Sequence, residues 1–315
     1  MNRRLLGRTG LEISVVGFGA WAIGGGGWEW GWGPQDDADS ISAIERAIEL
    51  GVNWIDTAPV YGFGRSEEVV GRAVGKMSEK PLIFSKCGLE GRNGTGLNEL
   101  KAATIERQCE DSLRRLGVEA IDLLQIHWPI PDEDIEEGWA ACVALLSAGK
   151  VRHIGVSNFD VAQLTRVNAL ATVETLQPPY SLIERGIEAE ILPYCVAEGV
   201  GILAYSPMAS GLLTGAFSAE RVAALPKDDF RSHVPHFQEP ELSRNLAATE
   251  RLRQAGEPHG ASPGAAAVAW VLRDPAVSGA IVGFRRADQL DGILPAAGEL
   301  ELTPEEIAFI EGDGA

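Results

Sequence analysis

Residues 53–68, NWIDTAPVYGFGRSEE, decide the fold of this chain and pose its first chemical question. An apolar run ends at Asp56, and Tyr61 follows five residues later. The run predicts a short buried strand, so that a carboxylate and a phenol lie together just beyond its end. The same arrangement, a short apolar run that ends at a polar residue, recurs along the chain.

Eight such runs alternate with amphipathic stretches. The predicted strands are 15–19, 53–56, 82–86, 122–127, 153–157, 173–177, 201–205 and 279–283. Helical patterns with an apolar stripe and a charged face include 39–50, 98–116, 134–148 and 187–198. Strands that alternate with helices pair in parallel, and eight such units close a barrel. The sequence therefore predicts an α/β fold, a (β/α)8 TIM barrel.

Additional segments surround the predicted barrel. RRLLGRTGLEIS, residues 3–14, predicts a β-hairpin that turns between Gly7 and Gly10 and caps the barrel floor. Residues 206–241 form a long irregular excursion, which inside a compact domain is more often functional than idle. Extra helices are predicted before and after the last strand. Because no linker or composition break appears, residues 1–315 are predicted to form a single domain.

The amino-acid composition limits the kinds of molecule that the chain is expected to bind. The chain has 27 basic and 45 acidic residues, a net charge of −18, which disfavours nucleic acid and anionic membrane surfaces. The N-terminus lacks the apolar region of a signal peptide, so a cytoplasmic protein is expected. The four cysteines are scattered and predict buried, reduced side chains rather than disulfides or a zinc site; they are Cys87, Cys109, Cys142 and Cys195.

Six consecutive predicted strands end at residues that can ionise or form hydrogen bonds. They are Asp56, Lys86, His127, Ser157 with Asn158, Gln177 and Tyr205. The carboxyl ends of barrel strands meet at one mouth, where active sites lie. We therefore expect one functional site there rather than a ring of unrelated solvated side chains.

Tyr61 suggests the chemistry of this site. A free phenol has a pKa of about 10, too high for ready proton exchange at neutral pH, and an adjacent ammonium lowers it. Lys86 can supply that charge, Asp56 would hold the lysine, and His127 offers a hydrogen-bond donor to an oxygen beside Tyr61. Such a site protonates a developing alkoxide, as carbonyl reduction requires, and the hydride must come from elsewhere.

The chain resembles the aldo-keto reductase superfamily, in its general bacterial type, over nearly its whole length. The motifs are GVNWIDTAPVYGFGRSEE, SK at 85–86, DLLQIHWP, GKVRHIGVSNF, LQPPYSLIER, AYSPMASGLLTG and IVGFRRADQL. The resemblance implies the eight-stranded barrel and a nicotinamide cofactor bound without a Rossmann domain. By motif, the catalytic tetrad of the family falls on Asp56, Tyr61, Lys86 and His127, with the tyrosine as general acid.

The resemblance also implies a cofactor site. Ser157, Asn158 and Gln177 would hold the nicotinamide carboxamide, and Tyr205 would stack on its ring. A loop covering the pyrophosphate is implied at Ser206, Met208, Ser210, Gly211 and Leu212, and a loop gripping the adenosine end at Gly283, Arg285, Arg286 and Gln289. A guanidinium there suits a phosphate and favours NADP(H) over NAD(H). Gly292 departs from the family pattern, because members often carry Asn at this position. For the two arginines the alternative is that both are solvent-exposed charges at the start of a helix and do not bind the cofactor.

Three other patterns in the sequence bear on this interpretation. GFGAWA, residues 17–22, loosely fits a Rossmann fingerprint, but the glycine-rich IGGGGWEWGWG that follows is not a helix. The tryptophans near the predicted mouth are expected to line a substrate pocket, with a lid or a subunit contact as the alternative; they are Trp21, Trp28, Trp30, Trp32 and Trp128. No metal is expected, since His233 and His236 form only a lone pair in a loop predicted to be exposed.

The sequence thus predicts an NADP-dependent oxidoreductase that reduces an aldehyde or ketone reversibly, with the proton from Tyr61 and a small carbonyl or polyol as substrate. The alternative is an NADP-binding regulatory subunit with little turnover, similar to the potassium-channel β subunits of the superfamily. The natural substrate, the physiological direction and whether the chain forms a homo-oligomer stay open.

Overall fold

Eight parallel strands form a closed barrel in the computed structural model, which describes residues 1–92, 95–226 and 229–312. Each strand pairs in parallel with its neighbours in chain order, and the last strand pairs with the first. The barrel strands are β3 Val16–Gly19, β4 Trp54–Asp56, β5 Leu82–Cys87, β8 Ile121–Ile126, β9 Val151–Ser157, β10 Thr175–Gln177, β11 Gly201–Tyr205 and β12 Val277–Gly283. The predicted barrel is confirmed, and each predicted strand overlaps one of these eight.

The predicted N-terminal hairpin is also confirmed. Strand β1 (Arg3–Leu5) pairs antiparallel with β2 (Glu12–Ser14). Leu6 and Ile13 of this hairpin join the side chains that fill the barrel interior, which include Trp54, Phe84, Leu123, Leu203 and Ile281. The hairpin therefore closes the floor, and the site must lie at the opposite, carboxyl end of the strands.

Trp54 fills the barrel because glycines on β3 and β12 leave room for its ring. A Cβ atom added at Gly17 would meet the Trp54 ring at 2.3 Å, and one added at Gly279 would meet it at 2.9 Å. The indole nitrogen donates to the Ser14 carbonyl at 2.8 Å. A side chain at either glycine would displace this ring from the lower barrel.

Helices cover the outside of the barrel. They are α1 Asp37–Glu49, α2 Arg65–Val74, α3 Ala102–Leu116, α4 Ile135–Ser147, α5 Val161–Asn168, α6 Ile191–Glu198, α7 Ala219–Ala223, α8 Glu241–Gly256, α9 Pro263–Leu272, α10 Asp288–Asp291, α11 Leu294–Ala297 and α12 Pro304–Glu311. Helix α1 begins where the Asp36 carboxylate accepts from the backbone of Ala38 and Asp39, and it buries Ala43, Ile44 and Ala47. The extra helices predicted on both sides of the last strand are therefore present.

Two predicted helices begin too early: α6 begins at Ile191 rather than at residue 187, because residues 187–190 form turns. The pattern placed a helix over 98–116, but α3 begins at Ala102, and β7 (Thr95–Asn98) pairs antiparallel with β6 (Leu89–Arg92). The sequence Asn93-Gly94 between these strands is a common hairpin signal that the helical periodicity of the following residues obscured. Residues 227 and 228 of the predicted excursion 206–241 lie outside the described residues.

The sequence also leads to expectations about the cysteines, about metal binding and about membrane-spanning helices. All four cysteines are buried and free, as expected. His233 is exposed, and the Nε2 atom of His236 lies 3.8 Å from Glu184 Oε2. Within the described ranges, no group of three or more side chains is placed to hold a metal ion, and no helix is long and apolar enough to cross a membrane.

Candidate active site

A buried ion pair lies at the centre of the barrel mouth. Lys86, at the end of β5, has 1% of its side chain exposed and places Nζ 2.5 Å from Asp56 Oδ1, at the end of β4. The same ammonium donates to the Thr57 carbonyl at 3.1 Å, and Gln177 Nε2 donates to the other carboxylate oxygen at 2.8 Å. Both oxygens of the carboxylate are thus satisfied, which is the condition for an ion pair to be tolerated at this depth.

The Tyr61 ring lies directly above this pair. Lys86 Nζ is 5.1 Å from the ring centroid, and the rings of Trp21 and Trp28 lie 6.3 and 6.5 Å away. Burial raises the pKa of the phenol, and the charge of Lys86 offsets this only in part, so that the pKa stays above its ordinary value. The sequence predicts a lowered pKa; the difference arises because burial desolvates the hydroxyl more than the ammonium favours the phenolate.

His127 completes the predicted tetrad. Its ring centroid lies 5.9 Å from that of Tyr61, in an edge-to-face arrangement. Burial and the charge of Lys86 hold the pKa of His127 well below its usual range, so the imidazole is neutral and keeps one N–H. A neutral imidazole beside a phenol can donate a hydrogen bond to a carbonyl oxygen without adding charge to the site.

The ends of β9, β10 and β11 supply a row of amides and hydroxyls next to the tetrad. Asn158 Nδ2 donates to the His127 carbonyl at 3.0 Å, and its Oδ1 accepts from the Tyr205 hydroxyl at 2.9 Å. Ser157 Oγ donates to the Gln177 carbonyl at 2.8 Å. Asn158 has φ of 65°, a conformation that non-glycine residues adopt rarely and that clusters at functional sites.

The first residues of the excursion after β11 share that strained backbone. Ser206, Ala209 and Ser210 have φ values of 56°, 47° and 55°. Met208 and Leu212, which belong to the same segment, are buried in the core. Among the described residues, the other non-glycine residue with positive φ is Phe63, after β4, with φ of 56°, so the strained backbone lies in segments that follow strands of the barrel mouth, where such strain often accompanies function.

The loop after β12 carries the two predicted arginines. Arg286 forms an exposed ion pair with Asp288, with Nε 3.0 Å from Oδ1. Gln289 Oε1 accepts from the backbone N–H of Arg285 at 2.8 Å, which shapes the loop that begins at Gly283, the last residue of β12. The Arg285 guanidinium donates to the segment between β3 and α1 and forms no ion pair within the described residues.

Four of the five predicted pocket tryptophans gather around Tyr61 and Phe230. Trp21 lies 5.4 Å from Trp32 and 5.1 Å from Phe230, as ring centroids, and the indole of Trp21 donates to the Trp30 carbonyl at 3.1 Å. Trp30 is itself 45% exposed at the rim. Trp128, also partly exposed, stacks on His127 with centroids 6.5 Å apart.

Sequence reasoning missed several residues at this site. Glu67 is fully buried, accepts from Ser85 Oγ at 2.7 Å and pairs with Arg115, and so ties α2 to the strand that presents Lys86. Gln125 is fully buried on β8, and its side-chain amide has no hydrogen-bond partner among the described residues. Phe230 lies in the irregular excursion, where no periodicity predicts a contact with a loop two hundred residues earlier in the chain.

Comparisons with known proteins agree with one another. The model of the aldo/keto reductase family matches residues 16–312. The protein named Aldo-keto reductase YhdN, from Bacillus subtilis, is 39% identical over 92% of this chain and 87% of its own length. The NADH-specific methylglyoxal reductase of Escherichia coli is 31% identical over 92% of this chain and 91% of its own length.

The fold comparison points the same way. The structure of a glycerol dehydrogenase from Gluconobacter oxydans superposes with a TM-score of 0.87 and 40% identity, covering 98% of this chain and 94% of that one. An aldo-keto reductase from Bacillus halodurans, at 24% identity and a TM-score of 0.80, shares the fold.

Proposed function

Since the chain belongs to the aldo/keto reductase family, and is thus an oxidoreductase that acts on carbonyl and alcohol groups, we propose that it reduces a small aldehyde or ketone reversibly with NADP(H) and that Tyr61 carries the proton. The observation that carries this proposal is the buried Lys86–Asp56 pair directly beneath the Tyr61 ring.

Each member of the tetrad has a distinct task in this proposal. Tyr61 gives its proton to the alkoxide oxygen that forms in reduction and takes it back in oxidation. Lys86 stabilises the phenolate left behind, and Asp56 keeps the ammonium in place and balances its charge. His127, being neutral, donates its N–H to the carbonyl oxygen and fixes the position of that oxygen beside the phenol.

The residues next to the tetrad fit a nicotinamide cofactor, which would supply the hydride. Ser157, Asn158 and Gln177 place amide and hydroxyl groups beside the tetrad, a donor and acceptor set suited to a carboxamide. Tyr205, held by its hydroxyl to Asn158, is the flat face we propose for the ring to stack on.

We assign the distal end of the cofactor to the strained segment 206–212 and to the loop 283–289. Backbone turns with positive φ direct successive N–H groups to one side and so suit a pyrophosphate. We assign the Arg286 guanidinium to the phosphate of NADP(H). Its ion pair with Asp288 is exposed, so replacing that pair with a phosphate contact costs little free energy. One relative is named as NADH-specific, so the preference needs a direct measurement.

The substrate class follows from the wall above Tyr61. Indole rings give flat apolar faces, while the Nε1 atoms of Trp28 and Trp32 are buried without a hydrogen-bond partner among the described residues. A small polar carbonyl, or the corresponding polyol in the reverse direction, can contact the faces and accept from these N–H groups. The relatives named as a methylglyoxal reductase and a glycerol dehydrogenase act on compounds of that kind.

The decisive test replaces Tyr61 with phenylalanine. We expect kcat for carbonyl reduction to fall by about a hundredfold or more, with NADPH affinity retained, because the change removes only the acidic hydroxyl. NADPH absorbance would be followed with a panel of small aldehydes, ketones and polyols. Tyr194→Phe, on helix α6 and packed against the outer core, is the matched control and should keep the wild-type rate.

If the wild type and Tyr61→Phe had equal rates, Tyr61 would not be the proton donor. Tight NADPH binding by the wild type, with no turnover of any panel member, would instead support the regulatory-subunit alternative.

A further inference from the structure

The segment from Gly25 to Gln35, which we call the tryptophan loop, lies between the 3₁₀ turn Ala22–Gly24 and helix α1. It carries Trp28, Trp30 and Trp32 and forms part of the wall above Tyr61. Among the described residues, one backbone hydrogen bond lies within the loop, from Gly31 N to the Trp28 carbonyl at 3.0 Å. The loop therefore depends on side chains from elsewhere for its position.

Within the described part of the chain, Arg65 and Trp21 each donate one side-chain hydrogen bond to the loop from outside it, and Arg285 donates three. Its Nε donates to Gln35 Oε1 at 2.7 Å and its Nη1 to the Trp32 carbonyl at 3.0 Å, while Nη2 donates to the Pro34 carbonyl. In return, Gln35 Nε2 donates to the Arg285 carbonyl at 2.8 Å. A planar guanidinium with its donors at fixed angles holds these acceptors in one relative geometry, which an ammonium cannot do.

The charge around Arg285 differs from that around its neighbour. Arg286 has Asp288 as an ion-pair partner, whereas Arg285 is half-buried and its acceptors are backbone carbonyls and a side-chain amide. The donors of Arg285 are already placed in the loop, so a phosphate would have to replace three hydrogen bonds to engage them. The same exchange at Arg286 replaces one exposed ion pair.

We propose that Arg285 is a positioning residue for the substrate pocket, because it holds the tryptophan loop over Tyr61. Of the two arginines, only Arg286 then contacts the cofactor phosphate. The identity of the substrate in this inference rests on the proposed function. Arg285 thereby links the loop after β12 to the wall above the phenol. It acts on the substrate through Trp32 and Trp28 and does not touch the reacting atoms.

The first test needs neither substrate nor cofactor. The protein would be labelled with fluorotryptophan and its fluorine NMR spectrum recorded, with resonances assigned by single Trp→Phe substitutions. In Arg285→Ala, the resonances of Trp28 and Trp32 should shift or broaden. Those of the three fully buried tryptophans, Trp54, Trp139 and Trp270, serve as internal controls and should stay in place.

Two further variants locate the effect. Gln35→Ala, which cuts the same contact from the loop side, should reproduce the change at Trp32. Arg286→Ala should leave the loop resonances where they are. Unchanged loop resonances in Arg285→Ala, or equal changes in Arg285→Ala and Arg286→Ala, would overturn the proposal whether or not the protein is a reductase.

Steady-state kinetics gives the second test. For Arg285→Ala we expect KM for the carbonyl to rise about tenfold with NADPH affinity changed less than about threefold, as the loss of a few hydrogen bonds to the pocket wall predicts. Arg285→Lys should not restore KM, because the ammonium lacks the fork of donors. For Arg286→Ala we expect the reverse split, with NADPH binding weakened more than NADH binding. If Arg285→Ala lost NADPH affinity while KM for the carbonyl stayed unchanged, Arg285 would be a cofactor-binding residue and the proposal would be wrong.

Discussion

Lys86 is the residue on which the candidate site depends most directly. It is among the largest fully buried side chains of the chain, and a buried charge is tolerated only when a partner offsets it. The Asp56 carboxylate and the Thr57 carbonyl accept from Lys86, and Gln177 donates to the other oxygen of that carboxylate. The stability of the barrel mouth and the chemistry we propose for it therefore depend on the same few contacts.

Asp56→Asn tests this dependence. The substitution leaves the ammonium buried without its counter-charge, and we expect the free energy of unfolding to fall by about 3–5 kcal/mol. Denaturant titration followed by circular dichroism measures the change. The double variant Asp56→Asn, Lys86→Met removes both charges and should recover part of the loss, and a double variant less stable than Asp56→Asn would contradict the account.

The pH dependence of turnover provides a second test at this scale. The raised pKa of Tyr61 keeps the phenol protonated, and the lowered pKa of His127 keeps the imidazole neutral, across roughly pH 7 to 9. We therefore expect kcat for carbonyl reduction to be flat over that range. Alcohol oxidation needs the phenolate and should rise with pH. A reductive rate that falls by about tenfold within this range would place the titrating group elsewhere.

At the scale of elements, the segment after β4 and the segment after β3 are packed backbone to backbone. A Cβ atom added at Gly62 would come within 2.0 Å of the Gly24 carbonyl oxygen, and one added at Gly24 would come within 2.9 Å of the Tyr61 carbonyl carbon. Gly62 also has φ of 62°. The backbone that follows Tyr61 thus packs against Gly24, the last residue of the turn Ala22–Gly24, just before the tryptophan loop begins.

Gly62→Ala tests this close approach against Gly117→Ala. Both glycines have positive φ, but nothing lies within 4 Å of a Cβ added at Gly117. We expect Gly117→Ala to cost about 1 kcal/mol of unfolding free energy, and Gly62→Ala to cost about 2 kcal/mol or more, because backbone must also move. Thermal unfolding and kcat/KM are the measurements. If the two variants were equally stable and equally active, the packing at Gly62 would not position the site.

At the scale of the whole molecule, closure of the barrel joins the two ends of the chain. Strand β3 pairs with β12 from Ala280↔Val16 to Gly283↔Gly19, and Arg4 donates to the carbonyls of Leu272 and Val277. No described element stands apart from this closed sheet as a separate core. We therefore propose that the chain is one domain that unfolds as a unit.

Equilibrium unfolding tests this unity. Trp54 reports from inside the barrel, Trp139 from α4 and Trp270 from α9, so fluorescence samples both halves of the chain. We expect the fluorescence transition and the far-ultraviolet circular dichroism transition to share one midpoint in denaturant. Two separated midpoints would indicate halves of the barrel that unfold independently.

The sequence by itself determined the barrel and the residues at its mouth. Strand periodicity is a local property of the sequence. Because the carboxyl ends of parallel barrel strands lie at one face, the six polar strand ends are expected to lie together there. The N-terminal hairpin and the buried cysteines follow from patterns of that kind, whereas the tetrad rests on motifs that resemble the family and stays a prediction.

Only the tertiary structure decided the contacts between loops. The pairing of Gln177 with Asp56, the burial of Glu67 against Ser85 and the grip of Arg285 on the tryptophan loop join residues far apart in the chain. The direction of the Tyr61 pKa belongs to the same group, because it depends on how far the folded chain buries the phenol. Such contacts are selected by the sum of many weak interactions over the folded surface, and no local pattern encodes them.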